Sequence, residues 1–272
     1  MPTIAHISDL HLQSGVPERQ AQVEPILQKI NEMKPDLVVI SGDVTDDGWD
    51  SIEELKWAKD WLDARIDPPQ MVLPGNHDVG NFHNAQEGAI TNDRVKQWTE
   101  VYKSDVQREL GFWWVVGINS MLFGMGGDFE HSHFEKVGGW LNEAKICQRE
   151  LIVFQHSPIF AYSLRDQDPA IEYWVGPKWP RHALWELITQ NKVRLLGSGH
   201  VHQSRLFEAN GVKIAWAPPA SGTWVHAPGL PNPPMPEQTG FFLHHLNDDG
   251  TVESELIECA PMLKLYEHNP WP

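Results

Sequence analysis

The chain has 272 residues, enough for one large domain or two small ones with a sizeable apolar core. Its 37 acidic residues against 21 basic ones give a formal net charge of −16, and no cluster of lysine and arginine is present that could follow a polynucleotide backbone. The longest apolar runs, such as 37–40, are far too short to span a bilayer, so the composition argues against long nucleic acid or a membrane as the main partner.

Strand-like apolar runs alternate with stretches of helical length and periodicity as far as residue 197. The runs lie at 3–8, 36–41, 70–73, 112–118, 150–155 and 193–197. The predicted helices lie at 19–34, 51–65, 91–109, 133–147 and 179–191. Such alternation is typical of βα units around largely parallel sheets and predicts an α/β fold.

The pattern changes after residue 205. Asn210-Gly211 and Asp248-Asp249-Gly250 each separate two strand-like runs, and both are strong hairpin signals. Between the hairpins, residues 227–237 carry five prolines and predict a surface loop. We expect 205–272 to form antiparallel strands that complete a single domain covering residues 1–272.

Two further features concern the compartment. Cys147 and Cys259 stand in unrelated contexts, so we expect two free thiols rather than a disulfide. The N-terminus has neither a basic segment nor a long apolar segment, and therefore predicts no signal peptide. These features favour a cytoplasmic location. A homo-oligomer is compatible with the sequence.

Five short polar motifs each follow a strand-like run. They are Asp9-Leu10-His11, Gly42-Asp43, Gly75-Asn76-His77-Asp78, His156 and Gly199-His200-Val201-His202. Ligands of α/β sheets bind at the carboxyl ends of the strands, so these distant segments are expected to converge on one site. Each motif alone is a weak signal, whereas all of them in this order are specific.

The residue types indicate a metal site. Imidazole and carboxylate groups without thiolates favour Mn, Fe, Co, Ni or Zn. In an extended segment residues i and i+2 point to the same side, so Asp9 and His11 can reach one ion together, and His200 and His202 can face the same site. Asp43 follows a glycine and is the natural bridge between two ions. Paired ions about 3.5–4 Å apart would clamp a phosphate and generate hydroxide near neutral pH. Bound ions also reverse the local field, so an acidic protein can take a small phosphate substrate.

These motifs resemble those of the calcineurin-like metallophosphoesterases, whose pattern is D-x-H, G-D-x-x-D, G-N-H-D/E, H and G-H-x-H. Residues 9–202 match every block, including a second aspartate at Asp46. The resemblance implies a four-layer αββα sandwich, in which two mixed β-sheets are flanked by helices. It also implies a metal-dependent phosphoric ester hydrolase that needs no phosphorylated enzyme intermediate.

The resemblance further implies a role for each motif residue. One ion would be held by Asp9, His11, Asp43 and His202, and the other by Asp43, Asn76, His156 and His200. His77 would contact the phosphate and protonate the leaving oxygen, and Asp78 would orient the ring of His77. The role of Asp46 is left open.

Several substrates remain open within the family. The five-block pattern and compact length resemble bacterial cyclic nucleotide phosphodiesterases, so a phosphodiesterase of 3′,5′-cyclic nucleotides or another small diester is favoured, with glycerophosphodiesters as a close alternative. The continuation 79–81 is more similar to some family phosphatases, so a phosphomonoester or a phosphoprotein is the second hypothesis. A non-catalytic scaffold is the third, although scaffolds usually lose ligands that are all present here. The loops 158–180 and 218–240 match no pattern.

Other histidines are predicted to lie outside the site. His131 and His133 repeat the H-x-H spacing in a polar stretch and are expected on the solvated surface. His244 and His245 are adjacent on a predicted strand and should face opposite sides. His83 is expected on a loop surface, with a place in the lining of the pocket as the alternative.

Three tryptophans lie in loops near or after the motif strands: Trp49, Trp174 and Trp224. We expect them to anchor their loops, with stacking on an aromatic leaving group as the alternative.

Overall fold

The structure, a computed structural model, describes residues 1–81, 88–103, 106–164, 173–222 and 238–261. Its strands are β1 (Thr3–Ile7), β2 (Leu37–Ser41), β3 (Gln70–Leu73), β4 (Val106–Leu110), β5 (Trp113–Gly117), β6 (Glu150–Phe154), β7 (Leu195–Ser198), β8 (Arg205–Ala209), β9 (Val212–Trp216), β10 (Gln238–Leu246) and β11 (Val252–Pro261). Its helices are α1 (Pro17–Met33), α2 (Ile52–Asp63), α3 (Asn76–Val79), α4 (Asn92–Val101), α5 (Gly127–Ile146) and α6 (Lys178–Gln190), and Ser120–Leu122 form a 3₁₀ turn.

The described strands form two mixed sheets. In the first sheet the order is β11-β10-β1-β2-β3, with β1, β2 and β3 parallel and β10 antiparallel to both of its neighbours. In the second the order is β4-β5-β6-β7-β9-β8, where the four central strands are parallel and the two edge strands are antiparallel to them. The parallel strands of each sheet therefore end at a common edge.

Three apolar layers hold the fold together, and successive residues of one strand enter different layers. On β2, Val38 packs with α1 and α2, whereas Val39 packs between the sheets. On β6, Val153 packs with α5 and α6, whereas Phe154 packs between the sheets. Because both faces of these strands are covered, their sequences are continuous apolar runs rather than alternating ones. The predicted αββα sandwich is confirmed.

One predicted helix is wrong in its second half. Residues 91–109 contain α4 and then β4, an edge strand antiparallel to β5. The middle of β4, at Gln107, Arg108 and Glu109, is not buried. A strand that faces solvent at a sheet edge lacks the apolar signal that marks a central strand, so its charged residues matched the helical pattern equally well.

Both predicted hairpins are confirmed. Asn210 and Gly211 join β8 to β9 with φ of 50° and 76°, the two positive values that a type I′ turn needs. The expectation of antiparallel strands after 205 is wrong for β9, which runs parallel to β7. The chain crosses β8 first and returns on β9 beside β7, a pairing that no local signal marks. That residues 1–272 form one domain stays a prediction, and 227–237 and 262–272 lie outside the described residues.

The remaining histidine predictions have mixed outcomes. His131 is exposed on α5, but His133 is only 3% exposed and lies against Phe123, with ring centroids 5.0 Å apart. Two residues on a helix differ in direction by about 200°, so one of the pair turns inward. His244 is buried and His245 half-buried, as expected for opposite faces of β10. His83 lies outside the described residues.

Both cysteines are free thiols, as predicted, with Cys147 exposed and Cys259 half-buried. Among the helices of the described ranges, none combines the length and the apolar character needed to cross a membrane.

A pair of buried histidines lies between the sheets. His6 on β1 and His244 on β10 are fully buried, with His244 Nε2 3.5 Å from His6 Nδ1. His6 Nε2 lies 2.9 Å from Ser41 Oγ, and His244 Nδ1 lies 2.8 Å from Ser254 Oγ. Burial lowers the pKa of His6 to about 3 and that of His244 well below its usual value. Both rings are therefore neutral in the folded protein near neutral pH.

We expect His6 to make the fold sensitive to acid. Between pH 6.5 and about 3 the unfolded chain binds a proton at His6 that the folded chain excludes. The free energy of unfolding therefore falls as the pH falls, by about 1.4 kcal/mol per pH unit for one histidine. His6→Gln, whose amide can still bond Ser41, removes this contribution. Denaturant unfolding of metal-free protein over the upper part of this range should give a smaller pH slope for His6→Gln than for the wild type.

The exposed His131→Gln is the matched control and should leave the slope unchanged. Equal slopes for His6→Gln and the wild type would contradict the neutral buried state of His6.

Candidate metal centre

The five motifs meet at one edge of the sandwich. Their polar side chains directly follow the parallel strands β1, β2 and β3 of the first sheet and β6 and β7 of the second. In chain order they are Asp9, His11, Asp43, Asn76, His77, His156, His200 and His202. All of them are buried except His77, which is half-buried. The fold therefore brings these segments together, as the sequence predicts.

Several of these residues have a left-handed backbone. They are Asp9, His11, Asp43, His200 and His202, with φ between 45° and 69°. Each costs about 1–3 kcal/mol for a residue other than glycine, so the surroundings must hold it. The N–H groups of Leu10 and His11 both donate to the carbonyl oxygen of Asp43, at 2.8 and 3.0 Å. The expectation that Asp9 and His11 lie on an extended segment is wrong, because turns with a left-handed backbone bring their side chains together.

The first cluster comprises Asp9, His11 and His202. The Nε2 atoms of His11 and His202 lie 3.1 Å apart, and His202 Nε2 lies 3.4 Å from Asp9 Oδ1. The backbone N–H of His200 donates to both carboxylate oxygens of Asp9, at 3.0 and 3.1 Å. One ligand atom from each of the three side chains lies within 4.8 Å of the others, which is close enough for one ion.

The second cluster comprises Asp43, His156 and His200, with Asn76 beside it. His156 Nε2 lies 3.2 Å from Asp43 Oδ2 and 3.1 Å from Asn76 Oδ1. The same Oδ2 atom of Asp43 lies 3.8 Å from Nε2 of His11 in the first cluster. One carboxylate oxygen thus faces both clusters.

The imidazole rings are held in orientations that suit metal binding. Each of three rings donates from one nitrogen to an oxygen: Nδ1 of His156 to the carbonyl of Ser41 (2.8 Å), Nε2 of His200 to the carbonyl of Tyr173 (3.1 Å), and Nδ1 of His11 to the carboxylate of Asp46 (3.2 Å). Bonds of this kind fix the tautomer and ring direction of metal-ligating histidines. The second nitrogen of each ring is the one that would bind an ion, which displaces any proton it carries, so the residues fit a metal ion.

Charge is concentrated in the centre. Burial raises the pKa of Asp9 to about 6. Burial acts to lower the pKa of His156, but the adjacent Asp43 carboxylate outweighs it and raises that pKa to about 9. Burial likewise acts to raise the pKa of Asp43, yet His156 and His77 hold it well below its usual range. Imidazole, carboxylate and amide donors in such a field suit transition-metal ions.

Asp46 joins two parts of the centre through contacts that the motif alone does not reveal. Its carboxylate accepts from Nδ1 of His11 and forms an ion pair with Arg19, and its carbonyl oxygen accepts from Nδ1 of His77 at 2.8 Å. Burial acts to raise the pKa of Asp46, but His11 and Arg19 hold it below its usual range.

Arg19 was missed by the sequence reasoning. It lies on α1 and is 7% exposed. A signal was available, because Arg19 shares its helix face with the buried Val23, Ile26 and Ile30. A charged residue on the apolar face of a helix needs a partner of opposite charge, but the pattern of apolar residues does not identify that partner.

Asp78 has a different role from the one predicted. Its carboxylate accepts hydrogen bonds from the N–H groups of Val44 (3.1 Å), Thr45 (2.9 Å) and Gly75 (2.9 Å) and from the hydroxyl of Thr45 (2.8 Å). Asp78 therefore ties the loop after β2 to the loop after β3. The prediction that it orients His77 is corrected, since the ring of His77 is held by the carbonyl of Asp46.

His77 lies beside the first cluster. Its backbone N–H donates to Asp43 Oδ1 at 2.9 Å, and its ring centroid is 4.6 Å from that of His11. One of its ring nitrogens lies within ligand distance of His11 and Asp43 as well.

The loop tryptophans flank the centre. Trp174 is buried against His200, with ring centroids 5.4 Å apart, and so anchors its loop as expected. Trp49 is half-buried beneath the guanidinium of Arg94 at 4.7 Å, and its backbone N–H donates to the carbonyl of His77 at 3.1 Å. Trp224 lies outside the described residues.

Two mixed sheets between helices, with one aspartate carboxylate that faces two histidine–carboxylate clusters, are the features expected of a metallophosphoesterase. A family model described as calcineurin-like phosphoesterase matches residues 2–204, and the chain belongs to this family. Calcineurin-like metallophosphoesterases use two metal ions, and family membership supports a metal-dependent phosphoric ester hydrolase.

Relatives with two different descriptions are similar to the chain. It is 28% identical over 215 residues to a probable cyclic nucleotide phosphodiesterase of Vesicomyosocius okutanii, covering 78% of this chain and 82% of that protein. It is 27% identical over 199 residues to the serine/threonine-protein phosphatase CPPED1 of Mus musculus, covering 66% of this chain but 58% of that protein. The matched part thus spans less than two thirds of the mouse protein.

A solved structure of a dimetal phosphatase from Danio rerio superposes with a TM-score of 0.59 at 13% identity, covering 95% of this chain and 99% of that chain. At this identity the likeness shows the fold alone.

We expect Gly75→Ala to abolish metal binding without unfolding the protein. A Cβ atom at Gly75 would lie 2.2 Å from Asp43 Oδ1 and 2.4 Å from the Asp43 backbone nitrogen, so the shared carboxylate must move. Metal content after gel filtration and far-UV circular dichroism would measure the two effects.

Gly139→Ala on α5 is the matched control, since a Cβ there meets no atom within 4 Å. Normal metal content in Gly75→Ala would show that the position of Asp43 is not critical.

Proposed function

We propose that the protein is a two-metal phosphodiesterase that hydrolyses 3′,5′-cyclic nucleotides or another small phosphodiester. The observation that carries the metal-dependent chemistry is the carboxylate of Asp43. Its Oδ2 atom lies 3.8 Å from His11 Nε2 and 3.2 Å from His156 Nε2. One oxygen between two imidazole clusters is the arrangement that two ions sharing a carboxylate require.

The proposed ligand sets follow the two clusters. One ion is held by Asp9, His11, Asp43 and His202, and the other by Asp43, Asn76, His156 and His200. The donors are imidazole, carboxylate and amide without thiolate, a set that suits Mn, Fe, Co or Zn better than Mg or Ca. When bound, such ions neutralise charge on the phosphate oxygens and make a water acidic enough to act as a nucleophile near neutral pH.

We assign to His77 the transfer of a proton to the leaving oxygen. Its Nδ1 donates to the carbonyl of Asp46, so we assign the proton exchanged with the substrate to Nε2. His77 is also the half-buried member of the set, which a substrate can reach. A general acid in this position contributes about 10²–10⁴-fold to the rate.

The preference for a diester is supported by similarity and by charge. The relative from Vesicomyosocius okutanii is described as a probable cyclic nucleotide phosphodiesterase. A phosphomonoester brings about 1.5 to 2 negative charges near neutral pH, whereas a diester brings one. The loop after Asp43 carries Asp46, Asp47 and Asp50, and the charge of Arg19 is already paired with Asp46. We infer that the negative charge of this loop favours the ester of lower charge.

Hydrolysis of a phosphomonoester or a phosphoprotein is the second candidate. The similarity to the mouse serine/threonine-protein phosphatase favours it, over a matched region that covers 58% of that protein. The two candidates share the metal centre and differ in the space that the ester substituents need. The loops 158–180 and 218–240, which matched no sequence pattern, lie partly outside the described residues.

The first test is metal content against turnover. Protein loaded with Mn²⁺ is expected to hold about two ions per chain. Asp43→Ala removes a ligand from both ions and should hold neither tightly. His77→Ala should keep both ions, because His77 belongs to neither ligand set, while kcat falls by about 10²–10⁴-fold. Elemental analysis and kcat on the same preparations would measure this.

A centre emptied by His77→Ala would contradict the assignment of His77 as a proton donor. A wild-type protein that binds no metal under any loading condition would favour the non-catalytic scaffold.

The second test is substrate preference. Values of kcat/KM for 3′,5′-cyclic AMP, a glycerophosphodiester and a phosphomonoester under one metal condition should rank the diesters above the monoester. A monoester preference of about tenfold or more would move the assignment to a phosphatase. A clear preference for the glycerophosphodiester would retain the chemistry and exclude the nucleotide.

A further inference from the structure

Arg19 is a buried arginine that contacts the backbone of the first cluster. It is 7% exposed, and its Nη1 donates to the carbonyl oxygen of His11 at 3.0 Å. Its guanidinium also forms an ion pair with Asp46. None of the five motifs contains this residue, which approaches the centre from α1 rather than from a strand end.

The contact with His11 falls on a strained peptide. His11 has a left-handed backbone with φ of 45°, a conformation that persists where the surroundings over-determine it. The N–H of His11 is held by the carbonyl of Asp43 at 3.0 Å, and its carbonyl is held by Arg19 at the same distance. The two sides of the residue are thus fastened to different elements, the loop after β2 and α1.

The ring of His11 depends on Arg19 as well. Its Nδ1 donates to Asp46 Oδ1 at 3.2 Å, and that carboxylate is itself held by Arg19. Arg19 therefore restrains His11 at two points, the main chain directly and the ring through Asp46. Both restraints act on the direction of His11 Nε2, the atom 3.1 Å from His202 Nε2.

We propose that Arg19 is a positioning residue that keeps His11 Nε2 directed at the ion of the first cluster, and thereby sets the affinity for that ion. This inference rests on the proposed function, since it takes Asp9, His11 and His202 to be metal ligands. The rings of the second cluster are held by the carbonyls of Ser41 and Tyr173 instead, so the affinity for the second ion should change less.

The positive charge of an arginine near a cation site also changes the metal affinity, in the direction opposite to its positioning effect. Its positive charge repels a divalent ion, so its removal would raise the affinity if charge dominated. Loss of positioning lowers the affinity. Lysine separates the two effects, because it keeps the charge but lacks the rigid fork that contacts the His11 carbonyl and the Asp46 carboxylate together.

The experiment is calorimetric titration of metal-free protein with Mn²⁺ or Zn²⁺. In Arg19→Met, one of the two binding steps should weaken by about ten- to hundredfold, the usual effect of removing a group that orients a ligand. Arg19→Lys should weaken the same step, by less. That step should be the one lost in His202→Ala, whereas His200→Ala should remove the other.

Arg65→Met is the matched control. Like Arg19, Arg65 makes both an ion pair and a hydrogen bond to a backbone carbonyl. It pairs with Glu24 at 3.0 Å and donates to the carbonyl of Trp61 at 3.2 Å, at the contact of α1 with α2. It should leave both binding steps unchanged. Thermal unfolding of the metal-free variants reports whether each is folded. If Arg19→Met does not fold, Arg19→Lys decides.

Wild-type affinity at both steps in folded Arg19→Met, or tighter binding, would overturn the proposal, and so would normal affinity in Arg19→Lys. Equal weakening of both steps would also overturn it, because the effect would not be specific to His11. A wild-type protein that binds no ion would instead sink the proposed function.

Discussion

The carboxylate of Asp43 is the contact on which both halves of the candidate centre depend. Its Oδ2 atom faces His11 on one side and His156 on the other, so loops from both sheets are built around one oxygen. The neighbouring glycines follow from this constraint. A Cβ atom at Gly75 would lie 2.2 Å from Asp43 Oδ1, and one at Gly42 would lie 2.3 Å from His156 Nδ1. Neither position has room for a side chain while the Asp43 carboxylate and the ring of His156 stay in place.

Holding so many donors together has a conformational cost, which the fold opposes with hydrogen bonds. The left-handed turns at Asp9, His11 and Asp43 are stabilised by backbone bonds between the loops after β1 and β2. Carboxylates behind the cluster extend this restraint. Asp78 bonds the loop after β2 to the loop after β3, and Asp46 connects His11 and His77 with α1 through Arg19. Asp78, Asp46 and Arg19 thus hold the centre in place although none of them belongs to either cluster.

The apolar layers set where this polar centre can lie. Each central strand is covered on both faces by apolar residues. The polar groups of the metal centre therefore lie at the strand ends, where the chain leaves the sheet. His6 and His244 lie between the sheets instead, where burial keeps both rings neutral. Charged groups are tolerated at the centre itself because carboxylates and imidazoles there lie within a few ångströms of each other.

The sequence by itself determined the order of the motifs, the strands that precede them and the family pattern they match, because a strand buried on both faces is an unbroken apolar run and a polar motif at its end stands out. Hairpin β8–β9 was equally local, since Asn210-Gly211 specifies its own turn. The tertiary structure alone decided that Asp46 rather than Asp78 holds the ring of His77, that the partner of Arg19 is Asp46, that β4 is a strand and that β9 lies parallel to β7. A local pattern reports how a segment uses its own backbone and faces. Which side chain of another segment a residue contacts depends on how the sheets and helices pack. The spacing of residues along the sequence does not specify that packing.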